Sequence, residues 1–105
     1  AEPARHGREL RGAIVYVDHF GNLVSNIDRR TLAAFAASFP GKRLSVRLKR
    51  SAPIELMNAY GDAAKGTPLA IFGSFELLEI AVRDTSAADR FSARQGSAIK
   101  VCAGR

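Results

Sequence analysis

Asp18, Phe20 and Asn22 put a carboxylate, an aromatic ring and a primary amide within five residues of one another. Two readings of that stretch are open. In the first, Gly21-Asn22 is a hairpin turn, Phe20 plugs the core and Asp18 caps the turn with its side chain. In the second, the same three groups suit a nucleoside: a carboxylate accepts from an ammonium or hydroxyl, a ring flanks a purine, and an amide reads a purine edge with two hydrogen bonds. Other chemistry is thinly supplied. His6 and His19 are the two histidines and Cys102 the single cysteine. They assemble no Cys/His nucleophile pair, disulfide framework or all-cysteine zinc site. No strand–turn–helix elbow surrounds a serine, and the glycine before Lys42-Arg43 lacks the spaced partners of a phosphate loop. Asp18-His19 alone is turn chemistry and not a metal site, so no metal is expected.

The elements around that turn read as β structure. Residues 13–17 (AIVYV) are apolar and β-branched, which predicts a strand buried on nearly both faces, and 18–22 joins it to a second strand at 23–27 by a tight hairpin. Asp28 is an N-cap for a helix over 31–39, with Leu32, Phe35, Ala36 and Phe39 at helical spacing, stopped by Pro40-Gly41. Residues 43–49 alternate strictly, so Leu44, Val46 and Leu48 face one way and the basic residues the other. Ile54, Leu56 and Tyr60 continue the alternation; 61–67 is a loop; 68–72 and 77–82 are strands around a turn at 73–76. Thr85 or Ser86 caps a short helix ending at Phe91, and 97–103 is the last strand. The sum is an all-β fold, a closed Greek-key-like barrel of six or seven short strands with two short helices. Residues 1–11, with Arg5, Arg8 and Arg11, read as a linker or arm joining an upstream domain; 12–105 is the barrel domain.

The chain has 105 residues, 47% of them hydrophobic and 25% charged, as a single globular domain has. Its 16 Lys+Arg against 10 Asp+Glu give a net charge of +6. That raises the reading of a small basic nucleic-acid-binding barrel, with five Lys/Arg and no acid over 42–50. No aromatic residue is interleaved there to stack bases, so a solvated basic face is the stronger reading. No apolar run approaches the ~20 residues of a membrane span. The N-terminus AEPARHGREL has no apolar signal region, which makes a reducing, cytoplasmic setting the expectation.

Three ordered stretches carry a family resemblance. GAIVYVDHFGNLVSNI (12–27) resembles the segment G-x-(apolar)-x-x-V-D-x-F-G-N-(apolar)-x-(Thr/Ser)-N-I that opens the C-terminal domain of the S-adenosyl-L-methionine hydrolases, or hydroxide adenosyltransferases. These share a superfamily with the enzymes that make fluoro- and chloro-adenosine. Tyr60-Gly61-Asp62 with Gly66 is similar to the family's (Tyr/Phe)-(Gly/Ala)-(Asp/Glu)-x-x-x-G loop. Gly73-Ser74 followed by Leu78-Glu79-Ile80-Ala81-Val82 resembles its G-S-x-x-x-LEIAV strand.

The resemblance implies that S-adenosyl-L-methionine is the substrate, hydrolysed to adenosine and L-methionine, with no cofactor. The sulfonium is already a good leaving group, so aligning and activating water in a dry pocket suffices and no metal is needed. The water-activating residues of the family belong to the N-terminal domain, so this domain holds no catalytic residue and is expected to be inert alone. Its partners would be that domain and a neighbouring subunit of a homotrimer. Carried over by position, Asp18 would contact the methionine amino group, Phe20 and Tyr60 would pack on adenine, and Asn22 would bond its edge. Ser74 would meet the methionine carboxylate, and the backbone near Val82 and Asp84 would reach adenine. Two stretches depart from the family. Phe75 stands where the halogenating relatives carry an Arg, which favours the hydrolase branch and leaves no bidentate clamp for the carboxylate. Ala81-Val82-Arg83-Asp84-Thr85-Ser86-Ala87-Ala88 replaces A-V-N-x-G-N-A-A, altering the adenine-edge contacts or leaving an assembly module whose activity has decayed.

Overall fold

The computed structural model describes residues 2–57, 64–73 and 75–104. Tyr60 and Ser74, and residues 61–63 of the loop expected at 61–67, lie outside the described residues. The elements run β1 (Ala4–His6), β2 (Glu9–Val17), β3 (Leu23–Asp28), α1 (Arg29–Ala37), β4 (Leu44–Leu48), β5 (Glu55–Leu56), β6 (Pro68–Phe72), β7 (Leu77–Val82), α2 (Ala87–Phe91) and β8 (Ala98–Ala103).

Strands follow one another around a barrel in the order β4-β8-β2-β3-β7-β6-β5, with β1 paired to β2. The antiparallel bridge Val46–Ile54 brings the two ends of this order together: Val46 N–H donates to Ile54 at 3.0 Å and Ile54 N–H returns the bond at 2.6 Å. The result is the nearly closed all-β barrel with two helices that the strand pattern predicted. Alternation places Ile14, Leu23, Ile27, Val46, Leu48, Leu78, Ile80, Val82, Ile99 and Val101 in one core. Each of these side chains contributes roughly 1.5–3 kcal/mol by leaving water.

The two helices close off the barrel and begin on side-chain caps. Asp28 Oδ1 accepts from Thr31 N–H at 2.6 Å, and the Thr31 hydroxyl and N–H hold the Asp28 carboxyl below its ordinary value. Leu32 and Phe35 then face the core. Ser86 caps α2 by accepting from Asp89 N–H at 3.2 Å.

Two local expectations are corrected. Residues 4–11 are not a featureless arm: β1 pairs with β2 from His6↔Glu9 to Ala4↔Arg11, and Leu10 is buried. The reason lies on α1 and just beyond it, where the Arg5 guanidinium sits 5.4 Å from the rings of both Phe35 and Phe39 and that of Arg8 lies 5.3 Å from Phe39. Cation–ring contact gives a polar segment something to order against. Residues 13–17 are also not buried on both faces, since Val15 and Tyr16 are exposed. Between Ile14 and Tyr16 the β2–β3 register shifts. Such a bulge turns the following side chains outward. Asn26 Oδ1 accepts from Ala13 N–H at 3.0 Å beside the shift. Gly12 leaves room for this arrangement: a Cβ there would run into the Asn26 and Ile27 side chains.

Candidate functional site

The turn from β2 to β3 is built by Asp18. Its Oδ1 accepts from the N–H groups of Phe20 (2.8 Å) and Asn22 (2.9 Å), while its own N–H donates to Asn22 O at 3.0 Å. Asp18 therefore caps the turn, as the structural reading of the sequence had it. Phe20 does not plug the core. It is 75% exposed, packed edge-on against His19 with ring centroids 5.5 Å apart. An exposed ring on a tightly bonded turn is held at the surface by backbone geometry and not by burial.

A second turn rises beside the first. Beyond β7 the chain reverses through Arg83 and Asp84, where Asp84 adopts the left-handed conformation at φ 68°, and Val82 bridges Thr85. The two turns are locked together. Ala88 N–H at the start of α2 donates to Gly21 O at 2.9 Å. Gly21 has φ 83°, and a Cβ there would collide with the Ser86 hydroxyl. This position thus requires glycine on two counts, conformation and close approach.

Between the turns lies an open cleft of about 660 Å³ lined by Phe20, Asn22, Asp84, Thr85 and Ser86. The structure thus brings together three of the sequence-derived candidates, with Asp18 at the root of the same turn. Val82 is part of the core and does not line this cleft. Phe75 is 83% exposed in the turn between β6 and β7 and does not line this cleft. Thr85 and Ser86 were not singled out as site residues; they were legible as helix-cap candidates and as part of the 81–88 stretch that departs from the family.

Glu79 is the other residue the sequence reading passed over. It lies on β7 directly across from Val24, and its carboxylate rests against Gly73, where a Cβ would overlap it. Burial, and secondarily the charge of Asp18, push the Glu79 carboxyl above its ordinary value. Glu79 and Asp18 thus place two carboxyl groups near one another at this end of the barrel. Carboxylates accept from a cationic donor, whereas the ring and amide of the cleft favour a flat heteroaromatic edge. Among the described residues no group of three or more His, Cys, Asp or Glu could hold a metal ion, and no helix is long and apolar enough to cross a membrane.

Residues 12–100 match the family described as SAM hydroxide adenosyltransferase C-terminal domain. A (R)-S-adenosyl-L-methionine hydrolase of Thermus thermophilus is 28% identical over 90 residues, covering 86% of this chain and 31% of that protein. Among solved structures, an uncharacterized conserved protein from Thermotoga maritima superposes with a TM-score of 0.81 at 28% identity, over 97% of this chain and 39% of that one. A conserved hypothetical protein from Thermus thermophilus shares the fold, with a TM-score of 0.70 at 23% identity over 87% of this chain and 34% of its own. The chain spans about a third of the length of these relatives.

Proposed function

Because the chain belongs to the family of SAM hydroxide adenosyltransferase C-terminal domains, a family of enzymes, we propose that it is the substrate-binding part of an S-adenosyl-L-methionine hydrolase. The observation that carries this reading is the cleft in which Phe20, Asn22 and Asp84 meet, with the Asp18 and Glu79 carboxyl groups nearby. Phe20 offers its face to adenine at small entropic cost, since an aromatic side chain has few rotamers to lose. Asn22 offers a donor and an acceptor in one plane, the pattern a purine edge requires. Asp18 and Glu79 favour the positive end of the substrate, its ammonium and sulfonium.

In the proposed reaction the oxygen of water bonds to the ribose C5′ as the C5′–S bond breaks. The sulfur leaves with the bonding pair as the neutral thioether of methionine, and a water proton passes to solvent. The groups that activate water are supplied by the remainder of the protein. Within this chain the task is to bind and orient, which converts an encounter with water into an aligned displacement. The outward rings of Phe20 and Phe75 fit burial against the N-terminal domain of the same protein or a neighbouring subunit of a homotrimer, in the cytoplasm. Incubating the full-length protein with S-adenosyl-L-methionine and resolving the products tests the reading. Adenosine and methionine in equal amounts are expected; intact substrate would leave a module whose activity has decayed.

A further inference from the structure

The outward face of β2–β8–β4 carries a feature that the cleft does not use. The register aligns Arg11 with Lys100 and Lys100 with Arg47, so three cations stand side by side across three strands. Neighbouring strands are about 4.8 Å apart. Lys49, whose N–H bonds to Ala98 O, adds a fourth cation one row along. Like charges directly opposite one another destabilise a sheet. One carboxylate offsets them: Glu9 accepts from Arg11 Nε at 3.0 Å and from Lys100 Nζ at 3.2 Å, and these two bonds hold its carboxyl below its ordinary value.

Apart from Glu9, the neighbouring outward positions are small: Ala13, Ala98, Ser45 and Cys102. The row therefore stands in a shallow trough of about 210 Å³ lined by Arg11, Gly12, Arg47, Lys49, Ala98, Ile99 and Lys100. Among the described residues no aromatic lines it, and the acid beside it, Glu9, is held by Arg11 and Lys100 at one edge. Base stacking needs rings, which the trough lacks. Recognition here rests on charge, along a line of closely spaced donors. Arginine forks flanking a lysine match linked oxyanions. We propose that this face binds an oligophosphate chain, free or carried by a nucleotide. The site shares no residue with the cleft at Asp18–Asn22 and is independent of the function proposed there.

The test is calorimetric titration of the full-length protein with inorganic triphosphate and, separately, with uridine triphosphate. One chain per protomer is expected, weakening steeply as salt rises. Equal affinities identify the free chain as sufficient; tighter uridine triphosphate identifies a nucleotide as its carrier. Arg47→Gln should weaken binding about fivefold while leaving the unfolding midpoint unchanged or raised, because it relieves a like-charge pair; Lys100→Gln should weaken binding as much but lower the midpoint slightly, because it also gives up the bond to Glu9. Triphosphate should also shift the amide resonances of Ala13 and Ala98 in the unmodified protein, a readout that needs no variant to fold. Absent binding, unshifted amides or variants that bind as tightly would overturn the site. Displacement of triphosphate by a lower concentration of a polyglutamate peptide would overturn it in favour of an acidic protein partner.

Discussion

The two sides of the barrel are built differently. Along β2–β8–β4 the ladder is regular, with five consecutive pairs on each side of β8 from Ala98 to Cys102 or from Ile99 to Ala103. Side chains there stand in rows, and one outward row is basic throughout. Around β2–β3–β7 the register shifts twice, and a left-handed residue, Asp84, sits beside the site. Irregular backbone there brings an exposed ring, an amide and two carboxylates to one end. A regular ladder repeats one kind of side chain at fixed spacing, whereas bulges and docked turns gather unlike groups. The two carboxyls make the same contrast: Glu9, among cations, is held low, and Glu79, half-buried near another acid, is held high.

If docking of the two turns creates the cleft, Gly21 carries more than conformational freedom. Gly21→Val should cost about 2 kcal/mol through left-handed strain and collision, a fall of roughly 10 °C in the unfolding midpoint. Gly7→Val is the control. It shares a positive φ but nothing lies within 4 Å of its Cβ position, so its loss should be distinctly smaller. Equal losses in thermal melts would show that the Gly21–Ser86 approach carries no weight.

On the ligand side, removing the ring with Phe20→Ala should weaken adenosine binding by about 2 kcal/mol, roughly thirtyfold. That variant should leave triphosphate binding on the opposite face untouched. Loss of both in parallel titrations would mean that the two faces are not independent.

A subtler effect concerns acid. Glu79 has its folded-state value raised, so the native protein retains a proton that the unfolded chain has lost above the ordinary value of 4.5. Its contribution to stability is present below that value and is lost as pH rises through the folded-state value. Glu79→Gln should therefore raise the midpoint at pH 7 more than at pH 4; a lower midpoint at pH 7 contradicts the burial argument. Glu9 has the opposite sign: its contribution is present at neutral pH and disappears as pH falls through its lowered value. Being more exposed, Glu9→Gln should give the smallest change of the series, seen as a flatter acid limb of the melting curve.

Much of the frame was legible from local rules. The strands Pro68–Phe72 and Leu77–Val82 and the caps Asp28 and Ser86 declare themselves by alternation and side-chain type. What periodicity missed depends on contacts distant in sequence. Arg5 orders β1 only because Phe35 and Phe39 lie across from it. The same limit applies to the site. Asp18 and Asn22 stood out as a pair of polar groups in one turn, but the exposure of Phe20 follows from the backbone bonds that Asp18 accepts. Thr85, Ser86 and Glu79 join the site through the docking of β7 and α2. The basic alternation of 43–49 foretold a solvated face; only the register shows that Arg47 stands in line with Lys100 and Arg11.

The central claim, that the cleft between the two turns holds the adenine edge, is tested most directly by calorimetry of the full-length protein with adenosine, unmodified against Asn22→Ala. Loss of the paired amide contacts should weaken binding by about 1.5 kcal/mol, roughly tenfold, with an unchanged unfolding midpoint. Unaltered affinity in the variant would contradict it.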